Sequence, residues 1–543
     1  MKISLKKEWQ KTTLFPLIGG ALYPCGFPMK GFSGFFLFSI LGLFLYFYSF
    51  ELNIKKNQSL KTALKSLFFF SLSYALIGYY WIPYTLREFG QVPFPLDNFL
   101  GSLFSLIIVP QFLTFVLILK FLTKKEKFRD YYSNYPKSTA IALSFLIVIL
   151  ENIIPQQFPA HPGHTWLNFA PFLAPAKVFG VSIFSFFSYW FIWELIFFIE
   201  NKSKVGLIFI GSTVLFFLIL FLFPLELPRE KPNHTLNTRF VQANVGNLLK
   251  LNSEKGGPKS IQEVYDRYLS LSIKKSDKIQ EDFDLIIWPE TAYPELLNSS
   301  LLRVNPSFLP RIVRETTSFT KSSLFFGGYD KTGEENKNFF ENEYNTGFLV
   351  DEKGELSDTY HKKILIPFGE SLPFGIFNQY FAQLIPNMAF FGKGKKFTLF
   401  ELKKGTRFIS AICYEILFSD FIRKYLNHQK QQPHFIINLT NDSWYGDTAE
   451  PYQHQHLAFW RAIEFQIPIL RMTNTGLTSV LYPDGSESER LPIFKKDTLD
   501  LKLDIYDRNK TTFQKWGLLP LTILSTFFFF LSYLIERKSK APL

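Results

Sequence analysis

Phe408-Ile409-Ser410-Ala411-Ile412-Cys413-Tyr414-Glu415 is an apolar run that stops at a thiol and a carboxylate. A short apolar run with this ending has the pattern of a buried strand delivering Cys413 to its mouth. Only one other cysteine, Cys25, occurs in 543 residues, and it lies in a hydrophobic N-terminal segment. The plain alternative is that Cys413 packs as a small buried hydrophobe, the usual fate of a lone cysteine. Two cysteines exclude a disulfide framework and leave open a single bridge from Cys25 to Cys413.

Composition sets the solvent around this strand. Hydrophobic residues make up 47% of the chain and aromatics 18%, with 65 Phe, which is richer in bulky apolar groups than a soluble domain. Apolar runs of spanning length occur at about Gly31 to Phe50, Ser66 to Leu86, Phe99 to Leu119, Ser138 to Ile154, Phe179 to Ile199, Val205 to Phe223 and Trp516 to Ile535. Each approaches the roughly 20 residues that a helix needs to cross a hydrocarbon core of about 30 Å. Thr12 to Leu22 is a weaker run containing Pro16, Gly19 and Gly20, and it brings the expected number of spans to eight.

The net charge of +13 would suit nucleic acid, but its distribution points elsewhere. Basic residues gather in alternate connections, at Lys2 to Lys11, Lys55 to Lys65, Lys124 to Lys137, and Lys202 with Lys204. Retained Lys and Arg mark cytoplasmic loops. Charge is therefore read as topology, with no nucleic-acid partner. Residues 1–228 are expected to hold seven spans, 233–508 an external domain, and 516–535 a last span that returns Arg537, Lys538 and Lys540 to the cytoplasm. The loop Gln156 to Lys177, with Phe158, Trp166, Phe169 and Phe172, reads either as an interfacial layer or as an ordinary buried loop.

Between 233 and 508 the pattern changes to short apolar strands interleaved with amphipathic helices, the signature of an α/β layered domain. Expected strands are Arg239 to Ala243, Leu285 to Trp288, Ser323 to Gly328, Thr346 to Val350, Phe408 to Ile412, Phe435 to Leu439, Ile469 to Thr473 and Thr478 to Tyr482. Ser260 to Leu271, Phe308 to Phe319 and Tyr452 to Phe465 read as helices.

Two further stretches carry reactive groups near apolar segments. LIIWPETAYP places Glu290 just past an apolar run, and HKKILIPFGESLPF offers Lys362 or Lys363 followed by Glu370. Taken singly, such charged residues usually lie on a wet surface. Together they match the needs of acyl transfer through a thiol. A thiol near pKa 8.5 needs a base at neutral pH, and a tetrahedral intermediate needs fixed donors for its oxyanion. Glu290 suits the first task, and a lysine with the backbone N–H of Tyr414 suits the second.

WPE, a lysine eight residues before the glutamate of PFGE, and CYE, in that order, resemble the Glu-Lys-Cys triad of the nitrilase superfamily. Joined to eight spans and followed by NLTNDSWYG and RMTNTG, they resemble the bacterial apolipoprotein N-acyltransferases over nearly the whole chain. The resemblance implies a transmembrane helical bundle plus a nitrilase-like αββα sandwich. It places the base on Glu290, the lysine on Lys362 rather than Lys363, and the nucleophile on Cys413, with Glu370, Tyr414, Glu415 and Trp444 in support. The implied partners are a phospholipid acyl donor and a diacylglyceryl-lipoprotein acceptor, met by a monomer at the outer face of the cytoplasmic membrane, with no cofactor. A membrane-tethered amidase that passes its acyl group to water is the alternative, because the two share their chemistry as far as the thioester.

One departure is visible, since after VQANVGNLLK this chain has Leu251 where a family tryptophan is expected. His454 and His456, at i,i+2 spacing, point to different sides of a helix, so no metal site is expected. The stretch Phe374 to Phe391 reads as a lipid-facing mobile arm or as a core helix with its loop.

Overall fold

The computed structural model describes residues 9–55, 59–88, 92–170, 172–201, 231–331, 343–367, 369–372 and 390–540, with the isolated positions 211, 225, 375, 378 and 380. The chain divides into two compact units. One comprises Met1–Leu225, Thr448–Trp460 and Lys515–Leu543, the other Glu226–Asp447 and Arg461–Gln514. The expected span Val205 to Phe223 and most of the stretch Phe374 to Phe391 lie outside the described residues.

The first unit is helical. Leu60–Gly78, Pro136–Ile153, Ser182–Glu200 and Leu519–Ser539 are each long and apolar enough to cross a membrane. Leu96–Leu106 and Pro110–Thr123 make a fifth only if the pair, bent by 41°, is one span. The described residues thus carry four or five helices of spanning length where the apolar runs predict more. The bend falls inside the expected span Phe99 to Leu119, next to Pro110, which has no N–H for a continuous helical ladder. The weak first segment is a π-helical turn, Gln10–Leu14, followed by the helix Phe15–Leu22.

Its glycines have a packing role. A Cβ on Gly19 would lie 2.5 Å from the Gly42 carbonyl oxygen, and one on Gly42 would lie 2.5 Å from that of Gly19. Only paired small residues let two backbones approach so closely, the usual device between apolar helices that gain little from burial. Several buried charges of the unit are matched internally. Glu536 of the last helix accepts hydrogen bonds from the Lys137 N–H at 2.7 Å and the Ser138 N–H at 3.1 Å, capping the helix Pro136–Ile153. Glu194 pairs with the Lys137 ammonium. The Gln156 to Lys177 loop folds inward in part, for Trp166 is buried, with its ring 4.3 Å from that of Phe36. Glu450, one turn before His454, lies 3.5 Å from its Nδ1, so His454 does have an acidic neighbour at i,i+4 spacing, contrary to the expectation of none.

The second unit is built on two sheets. Its strands are β1 (His234–Gln242), β2 (Leu285–Ile287), β3 (Leu296–Leu297), β4 (Ser323–Asp330), β5 (Tyr344–Val350), β6 (Leu356–His361), β7 (Phe400–Glu401), β8 (Arg407–Ile412), β9 (Phe435–Thr440), β10 (Ile469–Thr473), β11 (Ser479–Leu481) and β12 (Asp497–Ile505). The first sheet runs β12-β1-β2-β4-β5-β6 with β3 beside β4, and the second runs β11-β10-β9-β8-β7. β1, β2 and β4 are mutually parallel, as are β8, β9 and β10. Of these, β2, β9 and β10 are buried along their whole length, as expected where both sheet faces are covered.

Alternation along β4 defines the layers. Phe325 meets Phe400 and Phe408 of the second sheet at 5.0 and 5.1 Å between ring centroids. Leu324 and Phe326 join a separate core with Val264 and Tyr268 of the helix Pro258–Ser272 and Ile312 and Val313 of the helix Arg311–Thr320. The strands β6 and β12, absent from the expected set, close the two edges of the first sheet and are only partly buried. Their mixed polar and apolar sequences reflect one solvated face.

Gly327 on β4 lets the segment after β2 come close. A Cβ there would lie 2.6 Å from the Pro289 carbonyl oxygen and the Thr291 nitrogen, and 2.7 Å from Glu290 Cα. All three are backbone atoms, so the segment itself would have to move. Gly327→Ala is expected to destabilise the protein by about 1–3 kcal/mol, the usual penalty for overpacking, as read by thermal unfolding. A melt identical to wild type would show that the Glu290 segment yields freely.

Candidate active site

The ends of three strands converge on one cluster. β2 ends at Ile287 and is followed by Trp288-Pro289-Glu290, β6 ends at His361 just before Lys362, and β8 ends at Ile412 just before Cys413. Carboxyl ends of parallel strands are the common place for a ligand site in α/β folds. Cys413 opens a tight 3-10 turn, Cys413–Leu417, with φ of +50°. This left-handed conformation is costly for a residue with a Cβ and is typical of functional turns.

Lys362 is fully buried, and its ammonium donates to two carboxylates, Glu370 Oε1 at 2.8 Å and Glu290 Oε1 at 3.2 Å. Burial alone would push its pKa down, but the charges of Glu290 and Glu370 outweigh that and raise it, so Lys362 stays charged. Lys363 is elsewhere, with its ammonium 4.2 Å from the centre of the Phe397 ring. Burial thus separates the two lysines that the sequence pattern left equivalent. Glu290 Oε2 accepts the Asn441 N–H at 2.9 Å, and Glu370 Oε2 accepts the Ile366 N–H at 2.9 Å.

Cys413 is buried and in no disulfide, and so is Cys25 unbridged. Burial pushes the Cys413 thiol well above its ordinary value, and Glu290 pushes it further up, while Lys362 pulls it down. The thiol is therefore protonated at neutral pH and needs a base to react. Of the charged groups around it, Glu290 acts on the thiol most strongly.

Glu415, whose role the sequence leaves undefined, acts as a tie. Its Oε1 accepts the Lys363 N–H at 2.6 Å and the Ile364 N–H at 3.1 Å, and its Oε2 accepts the Ile412 N–H at 2.8 Å. The Tyr360 hydroxyl donates to both oxygens at 2.9 and 3.0 Å. One carboxylate thereby joins the end of β8, which presents Cys413, to the segment carrying Lys362. Tyr414 is buried, its ring edge-on to Phe418 at 4.8 Å. Trp444 is half-buried, with the Lys250 ammonium 5.7 Å from its ring centre.

Sequence reasoning missed Asn345, Asn438 and Lys250. Asn345 donates through Nδ2 to Glu290 Oε1 at 2.8 Å and to Glu370 Oε1 at 3.0 Å. Asn438 donates to the Ala411 carbonyl at 2.9 Å and in turn accepts from Arg471 Nη1 at 2.8 Å. Lys250, next to the departing Leu251, bonds the hydroxyl of Thr291, the neighbour of Glu290. A polar residue inside an otherwise apolar strand, as Asn345 is in YNTGFLV and Asn438 in FIINLT, was the available signal.

The chain is similar to known proteins in both of its parts. Residues 241–509 match the carbon-nitrogen hydrolase family, and residues 19–193 match the apolipoprotein N-acyltransferase N-terminal domain. The apolipoprotein N-acyltransferase of Bdellovibrio bacteriovorus is 29% identical over 81% of this chain and 80% of its own. That of Haemophilus influenzae is 26% identical over 96% of this chain and 94% of its own. Among solved structures, an amidase of the nitrilase superfamily from Nesterenkonia is 17% identical, covers 51% of this chain and 92% of its own, and has a TM-score of 0.34.

Burial raises Glu415 from the usual 4.5 to about 7. A raised carboxyl contributes stability that is full below the unfolded value and lost as pH rises through the folded one. Melting temperature should therefore carry a component that falls between about pH 4.5 and 7, and Glu415→Gln should flatten it. The same change turns an amide N–H toward backbone donors, with an expected loss of about 2–3 kcal/mol. Melts at pH 5 and 8 measure both effects.

Proposed function

Because the chain belongs to the apolipoprotein N-acyltransferases of the nitrilase superfamily, we propose that it moves an acyl chain from a phospholipid to the α-amine of a diacylglyceryl-cysteine lipoprotein by way of a thioester on Cys413. The observation that carries the reading is the buried Lys362 ammonium shared by Glu290 and Glu370, in the charge environment of a buried Cys413.

In the first half-reaction Glu290 takes the thiol proton as Sγ attacks the ester carbonyl. The oxyanion is held by Lys362, an ammonium with three N–H groups of which two serve carboxylates, and by the Tyr414 backbone N–H. Collapse breaks the C–O bond, and the proton on Glu290 passes to the departing lysophospholipid oxygen. In the second half-reaction the neutral α-amine attacks the thioester and Glu290 accepts its proton. The C–S bond then breaks, and the proton returns to sulfur. The product is an amide, and the thiol is regenerated. Glu370 keeps Lys362 in place, while Trp444 lines the approach.

A membrane setting follows from the substrates. Lifting a chain of about sixteen carbons into water costs roughly 12 kcal/mol at about 0.8 per CH₂, so the site has to meet both substrates at the bilayer. The apolar helices of residues 1–225 and 519–539 provide the anchor. In this reading eight spans, oriented by the basic loops, leave residues 233–508 on the external face of the cytoplasmic membrane, and the enzyme acts as a monomer.

Incubation of the purified protein with phospholipid is expected to give a hydroxylamine-labile acyl adduct on Cys413, absent in Cys413→Ala, and a diacylated lipopeptide should discharge it to N-acylated product. Lys362→Met should slow adduct formation by about 10²- to 10³-fold, the usual cost of losing an oxyanion donor. Turnover without a Cys413 adduct, or free fatty acid as the sole product, would overturn the reading.

A further inference from the structure

Four hydrogen bonds close a ring in the candidate site. Lys362 Nζ and Asn345 Nδ2 each donate to both Glu290 Oε1 and Glu370 Oε1, at distances of 2.8 to 3.2 Å. The lysine could supply charge without help, so the amide needs its own explanation. Asn345 is 2% exposed, and its Oδ1 is buried with no hydrogen-bond partner among the described residues. An amide could satisfy that oxygen by rotating, but rotation would set Oδ1 against two carboxylate oxygens. The carboxylates therefore fix the orientation of Asn345, which leaves its own acceptor unused. Its backbone is held as well, because the Asn345 carbonyl accepts the Lys362 N–H at 2.8 Å.

We propose that Asn345 is a positioning residue that directs the thiol proton to one oxygen of Glu290. A carboxylate oxygen has two lone-pair positions. On Glu290 Oε1 both are taken, one by Lys362 and one by Asn345, whereas Oε2 receives, among the described residues, only the Asn441 N–H at 2.9 Å. The open position on Oε2 is where the proton lands and from which it leaves. No atom is consumed: the proton moves from sulfur to Oε2 and from Oε2 to the leaving oxygen. Without Asn345, Oε1 gains a free lone pair, and the carboxylate loses a donor that favours its ionised form.

The inference rests on Glu290 serving as base, as proposed above, and its test needs no lipid. In full-length protein in detergent, the rate at which iodoacetamide alkylates Cys413 is followed against pH by mass spectrometry of the Cys413 peptide. The acid limb of that profile follows deprotonation of Cys413, which neighbouring negative charge opposes. Asn345→Asp, which replaces the donor with a third carboxylate, should move the limb up by more than one pH unit. Asn345→Ala should move it the same way by less, and this smaller variant serves if the first does not fold. A limb unmoved in both variants, or a uniform loss of rate without displacement, would overturn the proposal. Wild-type protein that forms no N-acylated lipopeptide while the displacement persists would overturn the acyl-transfer reading instead.

Discussion

A fully buried ammonium governs the α/β unit. Taking Lys362 out of water is tolerable only if nearby charge and hydrogen bonds replace its hydration, and removing one partner of such a pair leaves an uncompensated buried charge. Two carboxylates supply the replacement, from segments far apart in sequence, Glu290 after β2 and Glu370 in the turn after Lys362. Each carboxylate is in turn pinned by backbone N–H groups, those of Asn441 and Ile366. Neutralising one lysine thus fixes the ends of β2, β6 and β9 relative to one another. The thiol is the exception within this arrangement, since its surroundings disfavour its charge. The same cluster therefore stabilises one charge, on Lys362, and opposes another, on Cys413.

Much of this could be read from the chain because the reactive residues follow apolar runs. LII before WPE and FISAI before CYE are buried strands, and the residue after each run has nowhere to go but the mouth of the sheet. Distinguishing Lys362 from Lys363 required either the family spacing or the structure, for both lie just past the end of β6 and nothing in the pattern says which of them turns inward. Asn345 was not found because its neighbours read as an ordinary strand, and its value lies in contacts with residues 55 positions earlier and 25 positions later. The polar side chain within the strand marks the position, but partners at that separation cannot be read from it. For Glu415 the local contact, Ile412 three residues before it, could be guessed, but the donors Tyr360, Lys363 and Ile364 lie 51 to 55 residues earlier.

The helical unit was legible in kind but not in number. Hydropathy measures length and apolarity, and it reads straight through Pro110, where the backbone bends. The first segment looked weak because of Gly19 and Gly20, the very residues that allow close approach, Gly19 to Gly42 and Gly20 to the backbone of Phe70. Buried charges in such a unit are expensive and have to find partners. Glu194 and Glu536 do so by meeting one helix start, at Lys137 and Ser138.

The first and last strands of the α/β unit are neighbours, with nine residue pairs in register from His234 opposite Ile505 to Gln242 opposite Asp497. Synthesis therefore leaves β1 with one bare edge while more than 250 residues are added. An unpaired edge is a template for wrong partners, and slow long-range pairing prolongs that exposure. The nascent chain emerges as an open sheet, and the ribosome has to pass residue 505 before the domain can shut. Chaperones or translocation factors that shield extended edges would have their longest engagement with this protein during that interval.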